Sequence, residues 1–420
     1  MNAARQVPRF SVPYALGFAV LLTLVAWTLF PTLASAHHSP RKDEGYYLLF
    51  ATLVQQHGVR IFPELFEAWN TNTLVGEFPL HGPSWWHPPP YRLGYILACA
   101  GWGKLFGGGL AGMSWLSAVS HLVCTTINWS FARRHLGDPF GLALAALCGF
   151  SPLLLGVGRL ALMDSFTVVW VTLAVWLFLE MIEEPLAWAW QIAFALACTM
   201  AILTKELSVF IVPPLAAVAL LERFARKRPL PLWRFAAVIA LPGLIAGPLF
   251  ILAAGGLERL LVTTKLVLSA PANIPYALLS CSGPWYRYLI DYLCLSAFPT
   301  VLGLLSVGAL LQRIFEGEWS TPEVLFALLG AGLLAEQAPF IKNARYLLLF
   351  ELPLRLLTLS LLFRLTRRVL PWRGMLLVGG AVAWMCFLDW QSFRHVFVDA
   401  NGYDPVSVEL LEAREIIPRP

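Results

Sequence analysis

The stretch Arg41-Lys42-Asp43-Glu44-Gly45-Tyr46-Tyr47 sets two carboxylates beside two cations and two phenols, directly after the first long apolar run of the chain. A carboxylate in that company can take the proton of a hydroxyl as the hydroxyl attacks, a contribution of typically ~10²–10⁴-fold in rate. The cations can hold a departing anion, best through the forked geometry of an arginine. Asp43 is the candidate base. Ionisable groups elsewhere in apolar surroundings cost at least about 2.5–3.5 kcal/mol each near a helix centre, so their positions carry information. Arg159 and Asp164 flank a short turn between two apolar runs, Lys205-Glu206 fills a second turn, and Lys342, Arg345 and Tyr346 a third. His87, Lys265 and Arg287 come from two longer polar stretches. Plain structural readings stand beside these: Arg159 with Asp164, or Lys205 with Glu206, can be ion pairs at helix boundaries, and His37-His38 can be solvated residues at a loop start.

The elements that must position these groups are membrane helices. Of 420 residues 58% are hydrophobic and only 13% charged, against roughly 25% charged in a soluble domain. Several apolar runs approach the ~20 residues that cross a bilayer as a helix, and runs of that length do not suit a barrel. The fold class is an all-α polytopic membrane protein. Arg5 and Arg9 precede the run from Tyr14 to Ala34, which predicts a cytoplasmic N-terminus and an uncleaved first span. Further spans are expected near 112–131, 140–158, 162–182, 186–204, 207–221, 235–254, 291–311, 323–338, 347–363 and 374–390. That makes about eleven crossings. The segment 91–107, interrupted by Lys104 and glycines, is expected to be re-entrant or surface-lying. This choice puts Arg133-Arg134, 222–228 and 364–373 on the cytoplasmic side, as the positive-inside rule asks, and Asp43, Asp164, Lys205 and Arg345 together on the other. The net charge of +5 lies in short loops; it reports orientation and does not point to nucleic acid.

The expected organisation is a transmembrane module over 1–390, with external loops at 35–90 and 255–290, and a short external tail over 391–420. The first loop carries amphipathic segments at 46–54 and 62–69, expected to lie along the membrane surface, and a Trp- and Pro-rich exit. Nothing in the spacing of Cys281 and Cys294 demands a disulfide.

These residues resemble a known group. RKDEGYY after the first span is similar to the acidic motif in the first external loop of the C-superfamily (GT-C) glycosyltransferases, in the branch of protein O-mannosyltransferases and aminoarabinose lipid A transferases. HPPPYRLGYILACAGWGKLFG, RLALMDS, TKELSVFIVPP, SGPWYRYL and NARYLLLFELP resemble later segments of that branch, in order. The resemblance implies a polyprenyl-phosphate-sugar donor, Asp43 as general base, Glu44 shaping its surroundings, and Asp164 as a second acid near the acceptor. It makes His87, Arg159, Lys205, Lys265, Arg287, Arg345 and Tyr346 candidates for the carrier phosphate and substrate. Relatives often have lysine where His87 stands, and a neutral histidine is the weaker donor to phosphate.

A base with no covalent sugar intermediate implies a single displacement with inversion. The expected activity is therefore an integral-membrane inverting glycosyltransferase acting on an acceptor hydroxyl of a glycan, lipid or protein at the extracytoplasmic face, in a bacterial inner membrane. No cofactor is required, and a divalent metal is left open. The rivals are a lipid or small-molecule transporter or flippase, which would bind near the midplane on broken helices, and a non-catalytic scaffold subunit.

Overall fold

A computed structural model describes residues 11–36, 42–74, 83–339, 341–369 and 373–416. In chain order the helices are α1 (Val12–Leu29), α2 (Asp43–His57), α3 (Phe62–Asn70), α4 (Leu93–Phe106), α5 (Gly109–Leu136), α6 (Asp138–Gly149) and α7 (Pro152–Gly158). Then come α8 (Asp164–Glu183), α9 (Trp188–Thr204), α10 (Val212–Phe224), α11 (Leu232–Ala254), α12 (Leu257–Ser269) and α13 (Pro275–Ser280). The last are α14 (Arg287–Phe315), α15 (Thr321–Gln337), α16 (Glu351–Val369), α17 (Gly374–Phe393) and α18 (Ser407–Ala413). No strand occurs among the described residues. Proline opens the first turn of α1, α3, α6, α7, α10 and α15, where its missing N–H would have had no partner in the helix.

Eight of the described helical stretches are long and apolar enough to cross a membrane, and nine if α6 and α7, bent by 58° at their junction, count as one. Length and composition alone do not confirm the expected count of about eleven. The runs expected to cross at 186–204 and 323–338 form α9 and α15, 17 residues each. Helix α4 has 14 residues, about 21 Å at 1.5 Å per residue, short of the ~30 Å hydrocarbon core. Its Gly94 permits close docking on the end of α9, since a Cβ there would stand 2.7 Å from Thr204 Oγ1. The two long polar loops fold against each other. Thr263 of α12 donates to Asn70 of α3 (2.9 Å), and Arg259 pairs with Glu67 (2.8 Å).

Helix α8 is buried almost throughout. Its Trp176 donates to Asn128 on α5 (3.0 Å) and meets Phe326 of α15 edge-on. Apart from a buried cluster of Arg355 with Glu351 and Asp389, many of the charged residues sort to the two ends of the bundle. Glu180 near the end of α8 pairs with Arg134 (2.9 Å), Glu222 near the end of α10 accepts from Thr321 (2.8 Å), and Glu323 pairs with Arg313 and Arg364. The opposite end holds the starts of α2, α8 and the 3₁₀ turns at Glu206–Ile211 and Ala344–Phe350. Cys281 and Cys294 are both free thiols.

Candidate active site

Asp43 stands in the first turn of α2, with Lys42 in extended backbone just before it. Its carboxylate is about one-third exposed and lies 3.7 Å from the buried guanidinium of Arg345, at a helix start where the exposed N–H groups favour an anion. The next residue faces the other way. Glu44 is fully buried and its Oε1 accepts from the backbone N–H of Ala161 (2.8 Å), so it ties the start of α2 to the turn before α8. That turn delivers Asp164, buried and held by Lys205 Nζ at 2.8 Å. Lys205 also faces the Tyr346 ring, 5.1 Å from its centroid. Arg92 pairs with Glu206 (3.3 Å) and donates to the hydroxyl of Tyr47. His87 stacks on Tyr46, ring centroids 4.5 Å apart.

Asp43, Glu44, Asp164, Lys205, Arg345, Tyr346 and His87 thus belong to one neighbourhood. Three other candidates do not join it. Arg159 does not meet Asp164; it is buried and donates to Phe397 O, Thr32 O (3.0 Å) and Ser35 Oγ (3.1 Å), strapping the end of α1 to the end of α17. Arg287 spends its nitrogens on Ser280 O, Ser282 O and Ser407 Oγ. Lys265 is exposed on α12. The residues His37, His38 and Arg41 lie outside the described part. Among the described residues no group of three His, Cys, Asp or Glu could hold a metal ion.

The site is left with unused hydrogen-bonding capacity. Arg345 NH1 and the hydroxyls of Tyr46 and Tyr403 are buried and bond to nothing in the described residues. Buried polar atoms are nearly always paired, so a cluster of orphans beside one partly exposed carboxylate marks a place for a polar ligand. Burial pushes the Tyr46 phenol up to about 12, with the charge of Asp43 adding. Burial also raises Tyr403, again with help from Asp43. Both phenols therefore remain protonated donors at neutral pH.

Tyr403 and Asp404 belong to the segment expected to be a tail. It turns back after α17, and Asp404 Oδ1 stands 3.3 Å from Arg345 Nε and 2.9 Å from Asn343 Nδ2. The local signal was present: an aromatic, an acid and a proline just beyond the last span, on the side of Asp43. Arg92 was likewise hidden inside the polar exit HPPPYR.

Comparison with known proteins agrees with this geometry. A family model described as dolichyl-phosphate-mannose-protein mannosyltransferase matches residues 88–251. No curated protein matches the chain. Among solved structures, ArnT from Cupriavidus metallidurans bound to undecaprenyl phosphate is similar over 93% of this chain and 66% of its own, at 19% identity and a TM-score of 0.55. AglB from Archaeoglobus fulgidus, an oligosaccharyltransferase in complex with an inhibitory peptide and a dolichol-phosphate, is similar over 91% of this chain and 56% of its own, at 11% identity and a TM-score of 0.61. The chain thus spans about two thirds or less of these proteins. Its fold is similar to that of ArnT and AglB.

Proposed function

We propose that this protein is an inverting glycosyltransferase that moves a sugar from a polyprenyl-phosphate carrier to an acceptor hydroxyl. The observation that carries this reading is the pairing of partly exposed Asp43 with a buried arginine whose NH1 bonds to nothing in the described residues. The neighbours named for ArnT and AglB were captured with undecaprenyl phosphate and dolichol-phosphate, which supports the donor class. The transporter reading is not favoured, because the described charges in mid-bundle are paired with one another.

In this mechanism Asp43 accepts the acceptor's hydroxyl proton while that oxygen bonds to the anomeric carbon. The bond from that carbon to the carrier phosphate breaks, and the phosphate leaves with the electron pair. Arg345, with the phenols of Tyr46 and Tyr403, stabilises the charge that develops on it; such preorganised donors are worth most in a water-poor site. Asp164, neutralised by Lys205, lines the acceptor side. The acceptor is a glycan, lipid or protein, the N-terminus is cytoplasmic, and the site faces the extracytoplasmic side of a bacterial inner membrane, in keeping with the basic residues Arg133, Arg134, Arg226 and Arg228 at the other end.

The test is transfer of radiolabelled sugar from polyprenyl phosphate by the purified protein in vesicles, with the product's anomeric configuration determined. Transfer with inversion is expected. Retention of configuration, or no transfer from any polyprenyl-phosphate sugar to any acceptor class, would overturn the reading.

A further inference from the structure

Arg345 sits between two carboxylates, and they come from opposite ends of the sequence. Its NH2 lies 3.7 Å from Asp43 and its Nε 3.3 Å from Asp404. At those separations neither contact is a tight hydrogen bond, so small changes in attraction decide where the guanidinium rests. The backbone under Arg345 is fixed by the same segment that brings Asp404. Asn343 accepts from the Arg345 N–H (3.0 Å) and donates to Asp404 (2.9 Å), while the Ala344 N–H donates to Pro405 O (3.2 Å).

Four further contacts anchor that segment. Lys42, the residue before Asp43, stands over the Tyr403 ring at 3.8 Å, and Arg345 stands 5.4 Å from the same ring. Ser407 accepts from Arg287 Nε (2.6 Å) and donates to Asp291. Residues 403–407 therefore bind the turn that carries Asp43, the turn that carries Arg345, and the start of α14. Without the Asp404 carboxylate, the near counter-charge left to the guanidinium includes Asp43, and a closer pair there would occupy both the base and the phosphate donor.

We propose that Asp404 is a positioning residue for the transfer reaction: it holds Arg345 off Asp43 so that both stay available to substrate. The inference rests on the reading of the site as a glycosyltransferase centre. It gives the C-terminal segment a part in the reaction without contact to the reacting atoms. A residue that acts only through Arg345 has a particular signature. Once Arg345 is gone, removing Asp404 should cost nothing more.

The experiment is a double-mutant cycle with Asp404→Ala and Arg345→Ala, read as kcat and donor KM for sugar transfer in vesicles, with Asp404→Asn as the conservative variant. The melting shift produced by undecaprenyl phosphate is measured on the same proteins. Asp404→Ala alone is expected to lower kcat tenfold to a hundredfold, with a smaller change in KM. Asp404→Asn keeps an acceptor for Asn343 but loses the charge, so its kcat should fall nearly as far as that of Asp404→Ala while its melting temperature stays near wild type. In the Arg345→Ala background Asp404→Ala should change kcat less than twofold. Additive losses, or a wild-type rate in Asp404→Asn, would overturn the proposal. A wild type that neither transfers sugar nor shifts with undecaprenyl phosphate would instead overturn the reading of the site. If Asp404→Asn and Asp404→Ala both lower the melting temperature along with activity, the role is structural and the proposal fails.

Discussion

Two arginines organise the charged interior of this molecule, and they are treated in opposite ways. Arg355 is fully buried among apolar helices, donates to Glu351 and Asp389 at 2.7 Å each, and reaches Ser296 at 3.4 Å. The acids are themselves bonded, Asp389 by Ser296 (2.7 Å) and Glu351 by Ser151 (2.8 Å), so that among the described residues Glu351 Oε1 alone of the cluster lacks a hydrogen bond. These partners mark breaks in helices: Ser151 at the 58° bend between α6 and α7, Ser296 at a non-helical residue inside α14, Glu351 where a 3₁₀ turn becomes α16. Arg345 also has two acids, but at 3.3 and 3.7 Å, beside a partly exposed carboxylate, and with NH1 unbonded among the described residues. A saturated ion cluster stabilises a particular set of bends; an unsaturated one leaves binding capacity for something else. The contrast separates scaffold from site without any appeal to function.

The largest effect should come from the scaffold cluster. Arg355→Leu strands two carboxylates in the bundle, and breaking a buried pair from one side costs about 3–5 kcal/mol. The expected outcome is loss of folded protein in detergent melts, with any surviving protein melting far below wild type. A mild effect there would dissolve the contrast. Arg345→Gln should do the reverse. Losing one preorganised donor to a developing anion costs about 10²–10³-fold in kcat, while the melting temperature stays close to wild type, since its acids are partly exposed and keep water as a partner. Next is Ser151→Ala, which removes the bond to Glu351 and the cap that Ser151 gives the Leu154 N–H of α7, at a cost of about 1 kcal/mol each, read as a lower denaturation midpoint with unchanged KM.

The smallest effect concerns pH and the C-terminal segment. Burial, with the nearby charge of Asp404, pushes Glu409 of α18 up to about 7, against which Lys42 pulls down. A carboxyl whose folded value is raised above its ordinary 4.5 gives stability that is complete below that value and lost as pH rises through about 7. Proteolysis of the segment after α17 should therefore be slower at pH 5.5 than at pH 8.5, roughly at either side of the shifted value, and Glu409→Gln should remove the difference. Glu412 and Asp404 face the same region, so equal loss of the difference in Glu412→Gln would assign the effect wrongly to Glu409.

Much of the fold could be read from the sequence, because crossing a membrane leaves helices few alternatives and apolar runs mark them directly. Turns expected to share an end of the bundle do so, as Asp43 with Arg345 and Asp164 with Lys205 show. What failed was pairing. Arg159 and Asp164 are close in sequence, yet Arg159 is claimed by carbonyls of α1 and α17, since the turn between them points the two side chains apart. Arg355 and Asp389 were hidden within runs expected to be plain spans, although an ionisable residue in such a run is costly and asks for a partner. Asp404 was hidden because a short polar segment after the last span gives no sign of where it returns.

Asp43 as the base is tested by the initial rate of sugar transfer from polyprenyl phosphate in vesicles, wild type against Asp43→Asn. A fall of about 10²–10⁴-fold in kcat with little change in melting temperature is expected. Equal rates for the two proteins would show that Asp43 is not the base.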